Sequence, residues 1–102
     1  MARAAESAIA AVDQVRPTVG ALGRWRTLDG DRWLDGIVAI EGGDGHVELV
    51  LHLDAVWPPP RLTELADEVR LGIAPSSGNG ALGDVRVFFH DVILPGAPVG
   101  AR

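Results

Sequence analysis

Between His46 and Asp91 the chain runs through an alternating strand, a proline-led amphipathic helix and a second alternating strand. Few arrangements of a short chain satisfy all three. Val47, Leu49, Leu51 and Leu53 are apolar at every second position, while His46, Glu48, His52 and Asp54 hold most of the places between. A period of two with one apolar side is a half-buried strand. Leu62, Leu65, Ala66, Val69 and Ile73 then recur at helical spacing, with Glu64, Asp67, Glu68 and Arg70 on the opposite side and Pro75 as the expected stop. From Val85 the inward set Val85, Val87 and Phe89 alternates with Arg86, Phe88 and His90. Strand, helix and strand in that order predict a right-handed crossover between parallel strands.

The remaining segments add to that core. Ala5, Ala8, Ile9, Val12 and Val15 repeat at helical spacing, so the sequence predicts a helix over Ala4 to Val15, with Arg16 in its last turn and Pro17 as its stop. Arg24 to Leu28 reads as a weak edge strand. Leu34 to Ile40 reads as a further strand, joined to the one beginning at His46 through Gly42-Gly43-Asp44-Gly45 as a hairpin. Pro58, Pro59 and Pro60 forbid a central strand and favour an extended connection, the last of them at a first helical position. Ser76 to Gly83 reads as a glycine-rich loop. The expectation is an α+β fold: one two-layer sandwich over residues 3–94, ordered helix, strand, strand, strand, helix, strand. Both helices cover one face of a mixed sheet, and residues 95–102 form an unstructured tail.

Composition limits the chemistry. In 102 residues there is no cysteine, which removes thiol catalysis, cysteine-ligated zinc and disulfide stapling. The formal net charge of -5 repels phosphate backbones and anionic lipid, so nucleic acid is not an expected partner. No apolar run approaches the roughly 20 residues of a membrane span, and the first residues lack the apolar centre of a secretory signal. Direct insertion into a membrane is not expected.

Gly36-Ile37-Val38-Ala39-Ile40, the strand Val47 to Leu53, the helix Leu62 to Ile73 and the ending Val85-Arg86-Val87-Phe88-Phe89-His90-Asp91-Val92 together resemble the alkaline shock protein family, the envelope stress response proteins of Gram-positive bacteria. The similarity covers about residues 5 to 94. The triple proline and the short, tryptophan-bearing N-terminal half depart from the family pattern. The resemblance implies a non-enzymatic, cytoplasmic protein that self-associates and meets the inner face of the membrane through an anchored protein partner. It implies no catalytic residue and no cofactor.

Several residue groups invite a functional reading. His52 and His90, with Glu48 nearby, could be drawn as a transition-metal site, the core of an alternative in which the chain is a small metal- or ligand-binding enzyme. His46 and His52 lie about 20 Å apart along an extended strand, so at most one of them joins His90. Such polar groups are also what a solvated sheet face normally carries. Gly-Ala-Leu-Gly occurs at Gly20 to Gly23 and at Gly80 to Gly83, which suggests a nucleic-acid clamp of the KH type. The adjoining Asp84 and the acidic balance favour plain helix-to-strand turns instead. Asp29, Gly30, Asp31 and Asp35 resemble a calcium loop but lack its spacing and read as a polar turn. Val50, Phe88 and Val92 fall by alternation on the face away from the helices, and Trp25, Trp33 and Trp57 lie at strand ends or in loops. Apolar side chains on an uncovered face mark an association surface, so Val50, Phe88 and Val92 are the candidate interface of a homo-oligomer.

Overall fold

The computed structural model describes residues 2–42, 45–58, 61–77 and 82–94. The chain folds as α1 (Ala2–Ala10), β1 (Val15–Pro17), β2 (Arg26–Asp29), β3 (Arg32–Asp35), β4 (Ile37–Glu41), β5 (Val47–Val56), α2 (Leu62–Ser77) and β6 (Leu82–Ile93). It is the α+β fold with a mixed sheet that the periodicities predict. Its order contains two more strands than expected.

β5 is the axis of the main sheet. Along one edge it pairs antiparallel with two strands placed end to end: β4 against Val47 to Leu51 and β1 against Leu53 to Ala55. Along its other edge it runs parallel to β6, with α2 as the crossover between them. The alternation of β5 separates its side chains cleanly. Leu49, Leu51, Leu53 and Ala55 point to one face and are fully buried there beneath Ala5, Ala8 and Ile9 of α1 and Leu65, Val69 and Ile73 of α2. Each buried leucine contributes about 1.5–3 kcal/mol relative to an exposed one. Both helices therefore cover the same face, close enough that a Cβ at Gly72 would lie 3.0 Å from that of Ala8. Arg70 Nε, on the flank of α2, donates to the Val85 carbonyl oxygen at 3.0 Å and ties the helix to β6.

Three of the boundaries that differ from the sequence expectation have a physical reason in the structure. First, α1 ends at Ala10, because Val12 and Val15 leave the helical ladder through tighter bonds to Ile9 and Val12. Val15 is then free to enter β1 opposite Ala55, where it is buried. Pro17 ends that short strand rather than a helix, a position on a sheet edge where a missing N–H is tolerated. Second, Leu34 to Ile40 is not one strand. Gly36 adopts φ +74°, donates to the Trp25 carbonyl oxygen and accepts from the His52 N–H, both at 2.7 Å. A Cβ at Gly36 would lie 2.6 Å from the His52 oxygen, so only glycine fits. The chain breaks there into β3, which forms a separate two-stranded sheet with β2, and β4, which joins the main sheet. Third, α2 continues through Pro75 to Ser77. The missing N–H of that proline falls in the last turn, where it removes one bond without ending the helix.

Asp29 to Arg32 make the tight polar turn of the β2–β3 hairpin, and the Gly20 to Gly23 repeat forms a short helical turn between strands rather than after a helix. Pro59, Pro60, the second Gly-Ala-Leu-Gly copy up to Ala81 and the tail 95–102 lie outside the described residues.

Candidate functional site

The side of the sheet away from the helices carries the chemistry. Of two register shifts in the β5–β6 pair, the one between Leu53 and Asp54 decides what stands there. Phe88 lies opposite His52 and Phe89 opposite Leu53, but the next pair is Asp54 with Asp91, so His90 is an extra residue bulged out of the ladder. The bulge leaves His90 beside His52 on the open face. It also reverses the alternation beyond it. Val92 pairs with Ala55 and belongs to the helix side, which corrects its expected place beside Val50 and Phe88.

His52 Nδ1 and His90 Nε2 are 2.7 Å apart, a hydrogen bond in which one ring donates and the other accepts. A single indole covers both rings. Trp25 stacks on His52 with centroids 4.2 Å apart and planes 4° from parallel, and on His90 at the same distance and 20°. Phe88 continues the layer beside His52 at 5.7 Å.

Trp25 arrives from a strap, residues 18–25, which leaves β1 where that strand ends on β5. The Thr18 N–H donates to the His52 carbonyl oxygen at 2.9 Å, and the Trp25 N–H donates back to the Val19 carbonyl oxygen at 2.9 Å. Gly20 lets the strap turn: its φ is +70°, and a Cβ there would lie 2.6 Å from the indole. Burial first, and the charge of His90 second, hold the His52 pKa below its ordinary value of 6.5. Asp54, next on this face, is fully buried, with Arg16 of β1 opposite it in the register.

An apolar strip runs over the rest of this face. Val38 pairs with Val50, and Ile40 with Glu48, so Ile40, Val38, Val50 and Phe88 form a strip across β4, β5 and β6. Ile40 is 48 % and Phe88 49 % exposed, with Glu48 and Arg86 interspersed. Trp25 and the two histidines bound this strip at the β1 end. A shallow cleft on the opposite flank, between α1 and β3, is lined by Glu6, Ile9, Ala10, Pro17, Trp33 and Asp35. There Arg32 pairs with Glu6 and the Arg26 guanidinium lies 5.2 Å from the Trp33 ring centre.

Of the residues singled out in the sequence, His52 and His90 are brought together, and Val50 and Phe88 share a face. Glu48 does not complete a metal set with the histidines, because the two rings engage each other and Glu48 is four residues from His52 along β5. No group of three or more His, Asp or Glu side chains among the described residues has a metal-holding arrangement. Sequence reasoning missed Val38 and Ile40, although alternation from Ile37 contains them. It also missed the role of Trp25, for which a turn-forming glycine a few residues earlier was the only local sign. Compared with family models, curated proteins and solved structures, the chain matches none.

Proposed function

We propose that this chain is a non-catalytic scaffold domain that acts by self-association through the open face of its main sheet. The observation that supports it is the strip Ile40, Val38, Val50 and Phe88, apolar side chains from three adjacent strands on a face that the helices do not cover. Such a patch, apolar with a few charged groups interspersed, has the make-up of an association surface. Its residues are carried by β-strands and not by loops, so the surface is rigid and loses little entropy when a partner docks. The resemblance to the alkaline shock proteins adds the setting: a cytoplasmic envelope-stress protein held at the inner membrane surface by an anchored partner. No helix of the described residues is long and apolar enough to cross a membrane, so in this reading an attachment there is made by the partner.

Sedimentation velocity over a range of concentrations tests the reading. The wild-type chain should sediment as a concentration-dependent oligomer, and Phe88→Glu should shift it to monomer. A chain that stays monomeric throughout and ignores Phe88→Glu overturns the proposal.

A further inference from the structure

We propose that His52, His90 and Trp25 form a two-proton latch. The pair stays closed under the indole with no added proton or with one, and the second proton parts the imidazoles and releases Trp25 from the sheet. The consequence for partner binding rests on the self-association reading above, whereas the latch itself does not.

The geometry carries the argument. The facing nitrogens are His52 Nδ1 and His90 Nε2 at 2.7 Å. With both rings neutral, one nitrogen bears the hydrogen and the other accepts it. When one proton is added, the ring that gains it donates to the other and the bond is strengthened by charge. When a second is added, both facing nitrogens bear hydrogens. Two N–H groups cannot point at each other across 2.7 Å, and the two cations repel. The pair therefore titrates as one unit with two macroscopic steps, and only the second is disruptive. Burial of His52 acts in the same direction, because the lowered pKa delays its charging.

Other charged groups reach this face from each strand of the main sheet except β4. β5 supplies Glu48 and Asp54, β6 supplies Arg86 and Asp91, and β1 supplies Arg16 opposite Asp54. β4 presents only Val38 and Ile40 there. Arg24 on the strap and Arg26 at the start of β2 flank Trp25, and Asp35 adjoins Gly36. A second proton on the pair meets, above all, the charge already in place one hydrogen bond away.

Opening changes the surface. The indole spans both imidazoles at 4.2 Å, so parting them removes the platform on which it lies. Once Trp25 lifts, the two rings and the adjoining edge of Phe88 lie bare beside Val50, which enlarges the surface proposed for association.

A Trp33→Phe, Trp57→Phe background leaves Trp25 as the single indole, and its quenching by acrylamide reports its exposure at concentrations where the chain is a monomer. From about pH 8 down to about pH 4.5, spanning the histidine range, quenching should stay low and flat through the first proton uptake. It should then rise severalfold with the second, while far-ultraviolet circular dichroism stays folded and imidazole NMR shifts follow both steps. His52→Gln and His90→Gln each keep a side chain capable of hydrogen bonding but take up no proton, so each should flatten the rise. The latch is overturned if Trp25 stays shielded once NMR shows both rings protonated, or if the rise persists undiminished in both glutamine variants. A monomeric chain that still shows the step would sink only the association reading. An associating chain with flat quenching would sink only the latch.

Discussion

The two sides of β5 are built from alternate residues of one strand and are held by different forces. Leu49, Leu51, Leu53 and Ala55 are wholly removed from water, and what they gain depends on area and on filling space under two helices. Glu48, Val50 and His52 on the other side stay half-buried, and their neighbours are a hydrogen-bonded ring pair, a stacked indole and an exposed apolar strip. One side responds to volume. The other responds to protons and partners, so a change that devastates the first should pass almost unnoticed on the second.

The sharpest test of that contrast is Leu51→Ala, which empties space in a site with no exposed surface and should cost about 2–5 kcal/mol in denaturant unfolding. A loss below about 1 kcal/mol would mean that the helix side is no better packed than the open one. Gly36→Ala comes next. It combines a positive φ with a Cβ 2.6 Å from the backbone oxygen of His52, and should lower stability by about 1–3 kcal/mol while disturbing both sides of β5.

The proton response should be smaller and confined to the open side. Because the folded state holds the His52 pKa below 6.5, the unfolded chain binds protons first as pH falls. Stability is then full above that ordinary value and is lost as pH falls towards and through the lowered folded value. Urea midpoints measured across this window should decline for the wild type and decline less for His52→Gln. Equal slopes would remove His52 from the account. Phe88→Glu should have the least effect on the stability of the monomer, within about 0.5 kcal/mol, as expected for an exposed position, while abolishing concentration-dependent sedimentation.

The contrast between the sides of β5 also explains what the sequence made legible. Leu49, Leu51 and Leu53, and Leu65, Val69 and Ile73, announce themselves by period, because burial on one side imposes a repeating demand on consecutive residues. Val15 does not. It fits the helical spacing of Val12 and its neighbours, and only the vacant length of β5 opposite it draws it into a strand. The division of residues 34–40 at Gly36 was hidden for a similar reason: a glycine within an apolar run reveals nothing of the His52 carbonyl that would crowd a side chain. His90 was placed correctly by alternation, whereas Val92, two residues on, was misplaced because the bulge that reverses the pattern is a property of a pair of strands. Trp25 reaches its histidines over 27 and 65 residues of chain, and no local pattern encodes a contact of that length.

The end-to-end placement of β1 and β4 along one edge of β5 bears on how the chain finds its register. The β4–β5 hairpin closes over a short loop and can form early, since short closures cost the least chain entropy. Once it has formed, the stretch of that edge still open begins at His52, whose N–H is already taken by Gly36. β1 comes from far earlier in the chain, and β4 acts as a stop against which it must abut. A slip of one residue towards β4 would collide with Gly36, and it would also turn Val15 away from the core. The later and slower pairing is thus guided by the earlier and faster one.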